Sequence, residues 1–327
     1  MKFYETTFDD YLTEHNSIDF HPELTEKFHR KLPEIKEKMG HLMFCGPSGT
    51  GKYTQALKTV KKYSPSELKY EKKLFLNSDK YNYAYKISDI HYEIDFALLG
   101  CNAKLIWHEL FLQIVDIISM SNIKYGIILC KNFHTIHTEL LPIFYSYMQQ
   151  YNNSFLPFQI RYILISEQVS FIPNNVMNLV KTVNVKRPND DIYYDYLKVP
   201  RDIDKSFVLN LKESKLLNLI KEDQEVPDEI FDIICGEIKK KMDNFKKTTL
   251  SEFREQIYDI LVYNLDFVEV LWEILSQYVQ EDVIKSSDLE QIIEPIYGQI
   301  KQYNNNYRPI YHLENILLNI VKIKDGY

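Results

Sequence analysis

One short loop constrains this 327-residue chain more than any other feature: a G-x-x-x-x-G-K pattern set between an apolar run and an amphipathic one. Residues 41–54 read HLMFCGPSGTGKYT. Residues 42–45 are continuously apolar, as a strand covered on both faces must be. From Lys52 onward the apolar positions recur at helical spacing. Between the two runs, glycines let the backbone turn its amides inward. The start of the helix adds a positive end, and the lysine reaches the outer phosphates of a nucleotide. Three of the chain's nine glycines fall within these six residues. The spacing therefore predicts a phosphate-binding loop made of Gly46, Pro47, Ser48, Gly49, Thr50, Gly51, Lys52, Tyr53 and Thr54.

Tyr53 departs from the pattern. A Ser or Thr after the lysine normally sets its hydroxyl on Mg²⁺, and a phenol oxygen lies too far from the backbone for that place. Thr54 follows, rotated by about 100° around the helix axis, and is expected to face the nearer phosphates. The grip on phosphate is complete, and the metal seat is not.

Further strands are expected at 74–77, 90–96, 125–130 and 162–166, and helices at 52–62, 104–120 and 139–150. Strand and helix in alternation predict a parallel α/β sheet with helices on both faces. After Pro188 the strand pattern stops. Ile230, Ile233, Ile234 and Ile238, then Phe253, Ile257, Ile260 and Leu261, then Val268, Leu271, Ile274, Leu275 and Tyr278 repeat at helical spacing, and a last helix is expected at 310–323. Pro227 in QEVPDEI suits a helix start. Domain edges are placed near Arg187 and Val226: a nucleotide-binding domain at 1–187, a short segment at 188–225 and a helical domain at 226–327.

A phosphate-loop ATPase needs an acidic strand end to hold Mg²⁺. The candidate strand, YGIILC, runs instead into Lys131 and Asn132. Neither replaces a carboxylate, and the lysine repels the ion, so hydrolysis by this chain alone is expected to be weak or absent. A stand-alone ATPase or small-molecule kinase would need a carboxylate from elsewhere, such as Asp89 or Glu93. Cys130, His134 and His137 form a loose metal-like spacing with no fourth ligand nearby, and no metal site is predicted. Lys58, Lys61 and Lys62 share one side of the loop's helix and read as a solvated face, with nucleic-acid phosphates as the rival partner.

The formal charge of −7 does not mark a nucleic-acid binder as a whole, though a local patch can still act. Four scattered cysteines without a CxxC pair suit a reducing compartment. No apolar run reaches the roughly 18 residues that span a bilayer, and the acidic start MKFYETTFDDYL has no signal-peptide core. These features predict a soluble intracellular protein without membrane partners. The Asn-, Lys-, Ile- and Tyr-rich composition points to an AT-rich source, such as a virus or parasite.

The chain resembles the small subunits of the replication factor C clamp loader, a family of AAA+ ATPases. HLMFCGPSGTGKYT is similar to that family's strand and G-P-x-G-T-G-K loop, and Tyr53-Thr54 to the variant that reads G-K-K-T. DIHYEIDFALLGCNAKLIWHELFLQIV resembles its next strand and helix, and IPNNVMNLVKTVNV the stretch after its sensor 1. DQEVPDEIF, LSEFREQIYDILV and IYHLENILLNI resemble its collar helices. The resemblance covers nearly the whole chain and departs at the catalytic motifs. CKNFH stands for the acidic strand end, Ser166 and Glu167 for the sensor 1 Asn, and Asn178, Leu179 and Val180 for Ser-Arg-Cys, so no arginine finger remains. No sensor 2 arginine occurs in 188–225.

The resemblance implies an AAA+-like P-loop domain, a reduced helical lid and an all-α collar. It implies bound ATP or ADP, with Mg²⁺ left open by the incomplete seat. It also implies sibling subunits in a hetero-oligomeric, pentameric ring, a sliding clamp and primer–template DNA. The place would be the nucleus or a cytoplasmic viral replication site. The rival reading is a nucleotide-binding interaction scaffold.

Overall fold

The structure is a computed structural model that describes residues 7–15, 20–78, 81–151, 156–188, 230–263, 265–305 and 308–325. The chain divides into two compact units, Met1–Asp223 and Gln224–Tyr327. The expected lid and the Pro227 helix start lie outside the described residues. Among the described residues, no helix is long and apolar enough to cross a membrane.

Among the described residues, the first unit is built on a seven-stranded sheet. Its strands are β1 (His41–Cys45), β2 (Lys72–Ser78), β3 (Tyr81–Ile87), β4 (His91–Asp95), β5 (Tyr125–Lys131), β6 (Gln159–Ser166) and β7 (Val180–Asn184). Their spatial order is β2-β3-β4-β5-β6-β1-β7. The five strands from β4 to β7 pair in parallel, while β2 and β3 add an antiparallel hairpin at one edge. This is the α/β sheet that the alternation predicts, enlarged by β3 and β7.

Residue alternation shows why these segments are strands. Met43, Ile128, Cys130, Tyr162 and Leu164 enter one apolar core, with the side chains of α4 (Ala103–Met120) and α5 (Leu141–Gln150). Leu42, Phe44, Ile127, Leu129, Ile163 and Ile165 enter a second, with those of α1 (Phe8–His15) and α3 (Lys52–Tyr63). Both faces are covered, so the central strands carry apolar residues without a break. A shorter helix, α2 (Pro22–Lys27), precedes β1, and α6 (Asn174–Met177) precedes β7. Helix α5 begins two residues later than expected, at Leu141, because Pro142 sets the first turn and Glu139 instead pairs with Lys104.

The regular elements of the second unit, among the described residues, are helices: α7 (Ile230–Asp243), α8 (Leu250–Val262), α9 (Phe267–Gln280), α10 (Ser286–Asn305) and α11 (Pro309–Lys324). Thr249 and Glu252 form a reciprocal capping box that starts α8, and Asp266 caps α9. Most positions of the apolar stripes read from the sequence converge on one core around Ile238, Phe253, Ile257, Ile274 and Leu317, but Ile230 and Ile233, expected on the same face as Ile234 and Ile238, are exposed at the start of α7. At the rim Arg254 donates to Glu314, and Lys324 donates to the Met242 carbonyl at 2.9 Å and pairs with Asp243 at 3.0 Å.

Candidate phosphate site at the loop after β1

Strand β1 lies between β6 and β7, with Cys45 opposite Ser166 on one side and Asn184 on the other. The loop therefore leaves the sheet from a position paired on both sides, at the carboxyl ends of the parallel strands where α/β folds place ligands. A Cβ on Gly46 would lie 2.0 Å from the Val185 carbonyl oxygen, so only glycine lets β7 approach. Gly49 and Gly51 take φ values of +67° and +87°, which glycine adopts without strain. Gly51 then becomes the residue before α3. The Thr50 hydroxyl donates to the Pro47 carbonyl at 3.0 Å, and His21 Nε2 donates to the Thr50 carbonyl at 2.7 Å.

The residues from Gly49 to Thr54 line a cleft of about 650 Å³. Gly46 and Pro47 back the loop instead: their carbonyls accept from Lys52 Nζ at 2.8 and 2.5 Å. Ser48 is not among the lining residues. The Lys52 ammonium is also 3.6 Å from Glu167 Oε1, and Glu167 Oε2 lies 3.6 Å from His134 Nε2. A phosphate must therefore exchange with partners supplied by the chain itself.

Tyr53 turns away from the loop. Its hydroxyl donates to Glu93 Oε2 at 2.5 Å, and burial, reinforced by that carboxylate, holds its pKa well above the usual range. It therefore stays a proton donor. Glu93 Oε1 pairs with the Lys131 ammonium at 3.2 Å, and that ammonium lies 4.8 Å from the centre of the Tyr53 ring. Tyr11 of α1 packs edge-on against Tyr53 at 5.1 Å and shares a 3.2 Å hydrogen bond with the Thr54 hydroxyl. The Asn132 side chain donates to Asp95 at 2.8 Å, closing the neighbouring strand ends.

The residues present fit a phosphate group: glycines at positive φ, the start of a 12-residue helix and a lysine in the loop. They do not fit a divalent cation. The seat's hydroxyl is replaced by a phenol that donates to Glu93, and β5 ends in an ammonium that already neutralises the nearest carboxylate.

The two carboxylates named for a stand-alone enzyme part company. Asp89 accepts from the Ser64 hydroxyl at 2.7 Å and the Ser66 amide at 2.8 Å, at the far end of α3. Glu93 lines the cleft but is held by Tyr53 and Lys131. Cys130 is buried in the apolar core, apart from His134 at the cleft. Lys61 pairs with Asp9, and Lys62 with Glu34 and the Leu32 carbonyl, so that helix face is partly tied within the chain. Sequence reasoning misses the role of Tyr11. It names Glu167 as a departure without its link to Lys52.

No protein-family model matches the chain, and no curated protein does. Among solved structures it is similar to PCH-2 of C. elegans, at 10% identity over 98% of this chain and 70% of that one, with a TM-score of 0.33. It is also similar to a RuvB point mutant of Thermotoga maritima, at 10% identity over 80% and 74%, TM-score 0.36. A third is a DNA polymerase III gamma subunit-related protein of Thermotoga maritima, at 11% identity over 88% and 96%, TM-score 0.33. Likenesses this distant fix no function. The fold is assigned from the chain's own strand order, loop geometry and helical second unit.

Proposed function

We propose that the chain is a clamp-loader small-subunit-like protein of the AAA+ type, which holds ATP or ADP at the loop and turns it over weakly or not at all. It acts as one member of a hetero-oligomeric ring, with sibling subunits supplying hydrolysis, a sliding clamp and primer–template DNA as partners, and replication as the setting. Its domains follow the division at Arg187 and Val226, and its place is the nucleus or a cytoplasmic replication site.

The observation that carries the reading is the pairing of an intact phosphate loop with an ammonium at the acidic strand end: Lys131 sits 3.2 Å from Glu93. Grip without a metal seat suits a subunit that reports or stiffens rather than fires. The collar resemblance adds assembly to nucleotide binding. The deciding experiment is purification of the tagged chain from its native cells, with partner identification and native mass. A hetero-oligomer that contains phosphate-loop ATPases with complete acidic motifs is expected. A lone monomer, or a ring of this chain alone, overturns the reading.

One observation favours an interaction scaffold with an unused loop: Lys52 is already held by Gly46, Pro47 and Glu167. Equilibrium binding of ATP and ADP to the wild type and to Lys52→Ala separates the two. Loss of measurable binding in the variant supports the nucleotide reading, and no binding to either protein supports the scaffold.

A further inference from the structure

Position 53 and the end of β5 are where a phosphate-loop protein assembles its metal seat, and here the two are joined to each other. The Lys131 ammonium spans them: it pairs with Glu93 at 3.2 Å and stands 4.8 Å from the Tyr53 ring centre. Tyr53 closes the circuit through its 2.5 Å bond to the other oxygen of Glu93. The residue that should hold the metal, the strand end that should supply its carboxylate and the nearest acid are thus in mutual contact through a positive charge.

We propose that the Lys131 ammonium takes the place of the divalent cation, so that nucleotide at this loop is bound without metal. The inference rests on the nucleotide reading above and specifies its ligand: the free polyphosphate of ATP or ADP rather than its magnesium complex. Three features of Lys131 carry it. Its side chain is 31% exposed and lines the same cleft as Lys52 and Gly49, so it is within the space open to a phosphate chain. An ammonium has three donors, and Glu93 is its acceptor among the described residues. Tyr53 and Glu93 fix it from two sides, so little side-chain freedom is left to lose on binding.

Lys52, Lys86 and Lys131 line the cleft together with Glu93, Asp95 and Glu167, and each of these acids is already engaged, Glu93 by Lys131, Glu167 by Lys52 and Asp95 by Asn132. Adding Mg²⁺ beside Lys131 sets like charges together, so the magnesium complex is the poorer ligand. Glu93 stays as the anchor of Lys131 and never becomes a metal ligand.

The test uses the full chain and a fluorescent ATP analogue, with unlabelled ATP and ADP as competitors, in EDTA and in millimolar magnesium. Equal or tighter binding in EDTA is expected. In EDTA, Lys131→Met, which keeps the stem and removes the charge, is expected to weaken binding about tenfold, as loss of a charge-assisted contact does. Lys131→Arg is expected to retain most of it. The comparison of the wild type in the two buffers needs no variant, so a folding defect in Lys131→Met leaves the question decidable. Binding that weakens tenfold or more on removing magnesium overturns the inference and leaves the nucleotide reading standing. An unchanged affinity in a folded Lys131→Met also overturns it. Absence of binding in both buffers overturns the nucleotide reading and the inference with it.

Discussion

Tyr53 on α3 donates its hydroxyl hydrogen to Glu93 on β4, and the two are 40 residues apart in the chain. The contact explains how a bulky residue can stand next to a phosphate-loop lysine without filling the loop. The phenol is drawn sideways toward Glu93 and packs against Tyr11 in the wall of the cleft.

Tyr53→Phe tests what that bond is worth. The variant leaves one oxygen of a carboxylate that is only 8% exposed without its donor. A loss of about 1–3 kcal/mol of unfolding free energy is expected from urea titration. An unchanged midpoint would mean that water or Lys131 replaces the hydroxyl without cost.

Glu167 meets Lys52 at 3.6 Å, so under the nucleotide reading proposed above it is a phosphate's rival for that lysine. Removing its charge in Glu167→Gln should tighten ATP and ADP binding by about tenfold, near 1.4 kcal/mol. Identical dissociation constants for wild type and variant would show that the ion pair does not guard the lysine.

Gly46→Ala tests the close approach of β7. The new methyl meets backbone, 2.0 Å from the Val185 oxygen, and neither strand can yield alone. Overpacking of this kind costs roughly 1–3 kcal/mol. A lowered melting temperature in a calorimetric scan is the expected outcome, and a melting curve that matches the wild type counts against the packing argument.

Two buried histidines set an acid limit on stability. Burial holds the His41 imidazole at a pKa of about 4, with a smaller push from Arg161, and holds His91 at about 3 against the weaker opposing pull of Asp89. Both titrate near 6.5 when unfolded. The unfolded chain therefore binds more protons than the native one below pH 6.5, and stability falls as pH drops from there toward 4 and 3. The slope is about 1.4 kcal/mol per pH unit for each histidine. Urea midpoints at pH 6.5 and 5.0 measure it, and a His41→Asn, His91→Asn double variant should flatten the dependence. An equal slope in the variant assigns the acid sensitivity elsewhere.

The parts of the fold that were legible share one property: their information is local. The apolar run before Gly46, the glycine spacing and the helical repeat after Lys52 lie within a few turns of chain, and β1 and α3 follow at nearly the expected bounds. Strand β3 does carry a local strand pattern, with Tyr83, Tyr85 and Ile87 inward between Asn82, Ala84 and Lys86, and the sequence reading passes over it. Strand β7 escapes because its buried positions, Val180 and Val183, break the two-residue period. In the second unit α10 contains Pro295, which interrupts a helical reading, and the helix continues through it.

The site divides the same way. Lys52 and the glycines are readable from spacing, and Lys131 is readable as a charge of the wrong sign. The links from Tyr53 to Glu93 and from Lys52 to Glu167 join distant segments, and only the sheet order brings them together.

Among the described residues, β2 and β7 are the two outer strands of the sheet, and their side chains bear on association between copies. Strand β2 carries Lys72 and Lys73 on one flank, and β7 carries Lys181 on the other, all three exposed. A stray strand from a second copy that docked in register against its own counterpart would bring like-charged side chains face to face. Such charges oppose runaway strand addition on a flank where β2 also exposes Phe75. Crowded copies of the chain are thereby discouraged from joining through open backbone.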